Sequence, residues 1–325
     1  VRIKKFMKKQ KILITGGAGF IGFHLAKKLE KLGFEILIID NFSRGKFDKE
    51  FKKLIKSKNV NFKKTSFENE IKIKKNNFDY IYHLAAIVGV KNVAKQPSLV
   101  LEKNIKLLIS SIKFAKKQKN LKRFFFLSTS EIYAGTLKKK LLKFPTKENS
   151  ILCLNDLSED RSTYMLSKIY GEALTHFSEL PYTILRPHNI FGPRMGMSHV
   201  IPEIIKKIFS KKKFIKVQNP KHTRAFCYID DAVDMIVKIM NTKKTVNKTY
   251  NLGDPRKEIK VDTLVKKILK IIKSNKQLIF IRENLQKSPH RRVPSMHKLF
   301  SHINFKIKSS FDHSLLTTIQ WYKNH

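Results

Sequence analysis

The chain has 325 residues, of which 42% are hydrophobic, so it can bury a sizeable core and disorder is not expected. Its formal net charge of +43 comes mostly from lysines that are spread along the whole sequence. This spread is typical of a background bias in amino-acid usage. It disfavours specific nucleic-acid binding, which usually concentrates Arg and aromatic residues on one face.

Neither a membrane span nor a metal site is indicated. No run approaches the roughly 18 apolar residues that cross a bilayer, and the Lys-rich start lacks the apolar segment of a signal peptide. Cys153 and Cys227 lie far apart and form no cluster with metal-ligand spacing. We therefore expect a cytoplasmic protein with two inert thiols and no metal.

The strongest motif occupies residues 11 to 40, where an apolar run precedes a glycine-rich turn, a helical pattern and a second apolar run. Glycines at this spacing permit a tight turn, a close approach to a pyrophosphate and close helix packing. The helix N-terminus favours the anion. Asp40 stands where a carboxylate accepts hydrogen bonds from the adenosine ribose, which predicts NAD rather than NADP. Arg44 lies near enough to weaken that preference.

Apolar runs alternate with helical patterns along the rest of the chain. Strands are predicted at 12 to 14, 36 to 39, 80 to 84, 124 to 128, 182 to 185 and 249 to 252. Helices are predicted at 20 to 32, 98 to 118, 162 to 178, 200 to 210, 230 to 241 and 261 to 273. Residues 135 to 160 read as an irregular polar loop near the active cleft.

This alternation predicts an α/β fold, a Rossmann-type doubly wound parallel sheet with a smaller C-terminal substrate-binding lobe. We expect residues 1 to 186 to form the NAD-binding domain and residues 187 to 325 to form mainly the lobe. The segment around 229 to 252 is expected to return to the first domain.

One pair of residues suggests proton chemistry. Tyr164 and Lys168 stand four apart in a predicted helix, so both lie on one face, where an ammonium can stabilise a phenolate. Thr129 and Glu131 follow the strand at 124 to 128 and should lie at the carboxyl edge of the sheet, where ligands bind. Glu131 is equally well read as a solvated or salt-bridged acid at a helix start.

Seven motifs in order now carry a family resemblance: TGGAGFIG, HLAA, Asn104, STSEIYAG, YMLSK, RPHNIFGPR and RAFCYIDD. The chain resembles, over nearly its whole length, the extended short-chain dehydrogenase/reductases, and among them the NAD-dependent nucleotide-sugar epimerases and dehydratases.

The resemblance implies roles for individual residues. The cofactor would be held by Gly16, Gly19, Phe20, Ile21, Gly22, Asp40, Asn41, Ala85, Ala86, Tyr164 and Lys168. Tyr164 would be the base, Lys168 would lower the pKa of its phenol, and Thr129 would be the active-site hydroxyl. The nucleotide-diphosphate sugar would contact Thr129, Asn189, Arg224 and Arg292. A homodimer through the helices at 98 to 118 and 162 to 178 is also implied.

Three positions depart from the family pattern. Thr65-Ser66 replaces the usual Gly-Asp that meets adenine, Tyr133-Ala134 replaces Tyr-Gly, and Ser295 replaces an Asp after the late arginines. The resemblance therefore predicts altered adenine recognition and a less secure alignment near Arg292.

The resemblance implies several reactions that share transient oxidation at sugar C4. We expect an NAD-dependent nucleotide-sugar 4-epimerase similar to UDP-glucose 4-epimerase. The alternative is a 4,6-dehydratase or UDP-glucuronate decarboxylase that uses Glu131, because Thr-Ser-Glu at 129 to 131 resembles those branches. A catalytically silent NAD sensor or a basic nucleic-acid-binding module is a remote alternative, since neither needs both Tyr164 and Lys168.

Overall fold

A seven-stranded, fully parallel sheet forms the centre of the protein. The computed structural model describes residues 9–68, 77–154, 156–256, 258–281 and 290–325. From one edge to the other the strands are β11 (Lys248–Leu252), β6 (Tyr182–Pro187), β5 (Arg123–Leu127), β4 (Tyr80–His83), β1 (Lys11–Thr15), β2 (Glu35–Asp40) and β3 (Val60–Lys64).

Helices cover both faces of this sheet, as expected for parallel strands joined by crossovers. They are α1 (Phe20–Lys31), α2 (Lys49–Ile55), α3 (Val90–Lys95), α4 (Pro97–Lys116), α5 (Ala134–Lys138), α6 (Asp160–His176) and α8 (Ile229–Met240). The α1 and α8 helices pack together on one face, and α4 and α6 pack together on the other. The strands β2 and β3 are added on one side of β1, and the later strands, beginning with β4, are added on the other. This change of side opens a crevice between β1 and β4 at their carboxyl ends.

A second apolar cluster lies beside the sheet and contains most of the chain after β6. Its helices are α7 (Val200–Phe209), α9 (Val261–Ile272) and α11 (Phe311–Asn324), whereas α10 (His297–His302) packs against β11 of the main sheet. Its short strands are β7 (Ile190–Phe191), β8 (Phe214–Gln218), β9 (Thr223–Ala225), β10 (Cys227–Tyr228), β12 (Glu258–Lys260), β13 (Gln277–Ile281) and β14 (Arg291–Arg292). The segment before α7, together with residues of β7, β9 and β14, forms the wall that faces the crevice from the C-terminal side.

The predicted α/β class and parallel sheet are confirmed. The interpretation of 135 to 160 as wholly irregular is wrong at its start, because α5 continues a short 3₁₀ helix at Ser130–Tyr133. Gly135 is required there, since a Cβ would collide with the backbone of Cys153. Within the described ranges, no helix is long and apolar enough to cross a membrane.

Candidate active site

A cavity of about 600 Å³ occupies the crevice at the carboxyl ends of the parallel strands. Its walls include all the residues predicted from sequence for the cofactor, the chemistry and the substrate. It also contains several arginines that the sequence reading did not place there. The cavity therefore brings the predicted cofactor, catalytic and substrate residues to one place.

The glycine turn forms one end of this cavity. Gly16 has a φ of 74°, and a Cβ there would lie 2.7 Å from the backbone nitrogen of Ala85. A Cβ on Gly22 would collide with the carbonyl oxygen of Gly16. At Gly19, by contrast, a Cβ would meet only the Gly16 oxygen within 4 Å. The turn therefore leaves space at the start of α1 for a pyrophosphate, which fits the cofactor.

Asp40 ends β2 beside this turn and is buried. Its carboxylate accepts hydrogen bonds from the backbone N–H groups of Phe42 at 2.7 Å and Ala18 at 3.0 Å. Burial raises the pKa of this carboxyl, while the N–H groups oppose that shift. Since each carboxylate oxygen has two lone pairs, both remain able to accept from ribose hydroxyls.

Tyr164 and Lys168 face the cavity from α6, and Thr129 faces it from the end of β5. The Thr129 hydroxyl hydrogen-bonds Tyr164 and also accepts from the Glu131 N–H at 3.2 Å. Lys168 donates to the Leu127 carbonyl oxygen at 2.8 Å, and its Nζ lies 5.9 Å from the centre of the Tyr164 ring. The three predicted groups are therefore brought together.

The pKa of Tyr164 differs from the expectation. Burial and the negative charge of Glu131 raise it, and these effects exceed the opposing hydrogen bond from Thr129 and the charge of Arg44. Burial also lowers the pKa of Lys168 to about 8, against the opposing charge of Glu172. The lowered phenol pKa predicted from Lys168 is not found in the protein by itself.

Glu131 lies on the cavity wall and is held by two arginines. Arg292 donates to its Oε1 at 2.6 Å, and Arg161 lies 3.3 Å from its Oε2. Burial would raise the pKa of Glu131, but the two arginines outweigh it and the pKa is lowered. The carboxylate is thus ionised and salt-bridged. It also lies on the cavity wall, where the interpretation as an active-site acid places it.

Arg224 and Asn189 complete the C-terminal wall. Burial, with repulsion from Arg292 and Arg161, lowers the pKa of Arg224 to about 9. Its Nη1 donates to the Thr223 carbonyl oxygen at 2.7 Å. Asn189 has a φ of 41° and donates to the Ala225 carbonyl oxygen at 3.3 Å. Crowding of guanidinium groups around one carboxylate makes this wall electropositive, as expected for a site that binds a diphosphate.

A buried ion pair lies next to the residues that carry the candidate catalytic groups. Arg186 and Glu172 are in contact at 2.6 Å, and Ser128 donates to the same carboxylate. Glu172 stands one helical turn after Lys168, and Ser128 stands immediately before Thr129. The pair therefore links the strand and the helix that carry the candidate catalytic groups.

Two arginines in the cavity were missed or misplaced by the sequence reading. Arg161 stands three residues before Tyr164 on α6, so the helical spacing that joined Tyr164 to Lys168 also predicts it on the same face. Arg44 was considered only beside the adenosine ribose, but its guanidinium lies close to Gly89 and Gly196. No local sequence pattern indicates that direction.

Comparisons with known proteins agree with this geometry. The model of the NAD dependent epimerase/dehydratase family matches residues 12–253. A UDP-N-acetyl-alpha-D-glucosaminuronate decarboxylase of Bacillus cytotoxicus is 30% identical over 97% of this chain and 98% of its own length. UDP-glucuronic acid decarboxylase 1 of Arabidopsis thaliana is 27% identical over 98% of this chain and 71% of its own length.

Solved structures show the same fold. UDP-glucose 4-epimerase from Thermotoga maritima, solved with UDP-glucose, superposes with a TM-score of 0.81 at 25% identity, over 97% of this chain and 99% of that one. UDP-glucuronic acid 4-epimerase from Bacillus cereus, in complex with UDP-glucuronic acid and NAD, gives a TM-score of 0.85 at 24% identity, with 97% and 99% covered.

Proposed function

This chain belongs to the NAD-dependent epimerase/dehydratase family, and we propose that it releases carbon dioxide from a nucleotide-linked uronic acid. The family places it among NAD-dependent enzymes of nucleotide-sugar chemistry. The 4-epimerase prediction is not specifically supported, whereas the alternative that uses Glu131 agrees with the decarboxylase relatives. The observation that carries the proposal is the ionised Glu131, clamped by Arg292 and Arg161.

The ion pairs of Glu131 with Arg292 and Arg161 distinguish the dehydratase from the decarboxylase. A dehydratase needs a base that removes the C5 proton, and a useful base has a pKa near the working pH. Arg292 and Arg161 lower the pKa of Glu131, which makes it a poor base. Decarboxylation breaks the C5–C6 bond without removing a proton from C5. The geometry therefore favours decarboxylation over dehydration.

The charge of the wall supports an acidic substrate. Arg161, Arg224 and Arg292 gather around Glu131, and burial, followed by repulsion from Arg292 and Arg161, lowers the pKa of Arg224. Binding a polyanion relieves this repulsion. A nucleotide-linked uronic acid carries a diphosphate and a carboxylate, so it neutralises more of this charge than a neutral sugar does.

The residues have distinct tasks in the proposed reaction. The glycine turn and Asp40 would hold NAD, which would accept the C4 hydride and later return it. Tyr164 takes the O4 proton as C4 becomes a ketone, and Thr129 holds the same oxygen. The sugar is then a β-keto acid: the C5–C6 bond breaks, its electron pair moves toward the C4 oxygen, and C5 gains a proton from solvent. The phenol pKa of Tyr164 is raised in the protein by itself, so the positive charges of Lys168 and of bound NAD would have to lower it for this step.

Glu131 has a positioning task in this scheme. It fixes the guanidinium groups of Arg292 and Arg161 toward the ligand, and Glu131→Gln removes the charge that orients them. We expect this change to reduce decarboxylation about 10-fold to 100-fold, the cost of a lost charged hydrogen bond. A Glu30→Gln variant, near the C-terminal end of α1 and outside the cavity, is the matched control.

The test is mass spectrometry of the products formed by the purified enzyme with NAD. UDP-glucuronate, UDP-N-acetylglucosaminuronate, UDP-glucose and dTDP-glucose are supplied separately. Loss of carbon dioxide from either acidic sugar supports the proposal. An isomer of unchanged mass supports the 4-epimerase instead, and loss of water from a neutral sugar supports the dehydratase.

The quaternary structure and lobe boundaries belong to the same proposal. We infer a homodimer through α4 and α6, because these helices pack together and exposed apolar side chains lie on α6 at Tyr170 and just after its end at Phe177. The proposed division at residue 186 falls one residue before β6 ends at Pro187, with α8 and β11 returning to the main sheet. Light scattering of Phe177→Glu tests the interface, and a monomer supports it.

A further inference from the structure

Arg44 is a cavity-lining cation to which the reaction scheme assigns no task. It stands four residues after Asp40, on the loop that packs over the glycine turn. Its Nη2 lies 3.2 Å from the position of a Cβ on Gly196 and 3.9 Å from that of a Cβ on Gly89. The side chain thus extends from the cofactor side toward the loop that precedes α7.

The Arg44 guanidinium differs from its neighbour Arg194. Arg194 is buried and pairs with Asp48 and Glu50. Among the described residues, no carboxylate or hydrogen-bond acceptor contacts Arg44, and its electrostatic neighbours are Tyr164 and His199. Its surroundings withdraw it partly from water, which lowers its pKa. A cation in this position is stabilised by an anionic ligand.

The neighbours of Arg44 indicate which ligand carries that anion. They come from the segments around Gly89, Gly196 and Tyr164, which face the proposed sugar site. A Cβ on Gly19, at the pyrophosphate turn, would have no Arg44 atom within 4 Å. The diphosphate of the substrate has its own proposed partners, Arg224 and Arg292, which gather around Glu131. Arg44 is therefore placed for a group on the sugar.

We propose that Arg44 binds the carboxylate of the acidic sugar and selects uronic acids over neutral sugars at this site. This inference rests on the proposed function, because it names the group by which the same substrate is recognised. The carboxylate is carried by C5, next to the C4 hydroxyl that Tyr164 receives. A guanidinium also offers two parallel N–H donors, which match the two carboxylate oxygens.

Recognition of this kind has a kinetic signature. The ion pair stabilises the bound carboxylate, but carbon dioxide is neutral, so the contact is weakened as the C5–C6 bond breaks. Loss of such a ground-state contact raises KM without lowering kcat to the same extent. A residue with only a structural role would lower kcat and the affinity for neutral ligands together.

The experiment compares ligand binding in a background that does not turn over. Calorimetry measures the Kd of UDP-glucuronate, UDP-N-acetylglucosaminuronate and UDP-glucose with NAD-loaded Tyr164→Phe, alone and combined with Arg44→Met or Arg44→Lys. A lost charged hydrogen bond is expected to weaken both acidic sugars about 10-fold to 100-fold, with UDP-glucose changed less than about 3-fold. Arg44→Lys should recover part of the loss.

Lys52→Met serves as the charge control. Lys52 lies on α2, outside the cavity, with its Nζ 5.2 Å from the centre of the Phe47 ring. Lys52→Met removes the same unit of charge nearby. If it weakens binding of the acidic sugars as much as Arg44→Met does, the effect is a general electrostatic one and the inference is overturned. Equal weakening of acidic and neutral sugars by Arg44→Met would also overturn it.

The outcome separates this inference from the proposed function. Binding in the Tyr164→Phe background needs no reaction, so selection by Arg44 is decided even if the wild-type enzyme releases no carbon dioxide. If it does release carbon dioxide, kcat and KM of Arg44→Met provide a second readout. A raised KM with kcat within about 3-fold of wild type is expected.

Discussion

Replacement of Lys168 by Met should change how the stability of the protein depends on pH. Lys168 is 5% exposed, and burial lowers its pKa from 10.5 to about 8. Below pH 8 the native protein therefore keeps a buried ammonium group. In the unfolded chain the same group is hydrated and retains its ordinary pKa.

The sign and size of the effect follow from proton linkage. Between the folded and unfolded pKa values the unfolded state binds more protons, so the free energy of unfolding rises with pH. The shift corresponds to a cost of about 3 kcal/mol for the charged form in the native state, present below pH 8 and relieved as the pH rises toward 10.5. Between pH 7 and pH 10, about 2 kcal/mol of it disappears.

The assay is urea denaturation of wild type, Lys168→Met and the exposed-lysine control Lys31→Met at pH 7 and pH 10. Met also removes the hydrogen bond to the Leu127 carbonyl oxygen, but that loss does not depend on pH. From pH 7 to pH 10 the free energy of unfolding of wild type should therefore rise by about 2 kcal/mol relative to that of Lys168→Met. Lys31→Met should follow wild type. Parallel pH profiles for wild type and Lys168→Met would refute the reasoning.

Three further substitutions test the cavity. Tyr164→Phe should lower turnover at least about 100-fold with NAD affinity unchanged, and near-normal turnover in a coupled assay would refute its role as base. Asp40→Ala should weaken NAD about 10-fold and narrow its advantage over NADP in titrations of both cofactors, because carboxylate–ribose hydrogen bonds are lost; an unchanged ratio would contradict this. Gly22→Ala should abolish NAD binding measured by fluorescence, since its Cβ would collide with Gly16, and wild-type affinity would show that the turn adapts.

The main sheet could be predicted because its strands are apolar on both faces. The runs that precede the glycine turn and Thr129 correspond to β1 and β5, whose residues are nearly all buried. β3, with the sequence VNFKK, was missed because it is an edge strand whose side chains are largely exposed. The pairing of β8 with β13 was also missed, since it joins distant segments that carry no shared local pattern.

The candidate site shows a similar division. Tyr164 and Lys168 were recognisable from helical spacing, and the cofactor turn from its glycines and Asp40. The Glu131–Arg292 ion pair joins residues 161 positions apart, so no local pattern reports it. The raised pKa of Tyr164 depends on burial and on Glu131, which exist only in the folded chain.

The most direct test of decarboxylation follows the C6 carbon itself. Wild-type enzyme with NAD is incubated in deuterium oxide with UDP-glucuronate, and separately with UDP-N-acetylglucosaminuronate, each labelled with carbon-13 at C6. We predict that the label leaves one of these sugars as carbon dioxide and that its pentose product carries one deuterium at C5. A labelled hexuronate isomer that retains its C6 carbon would contradict the proposed function.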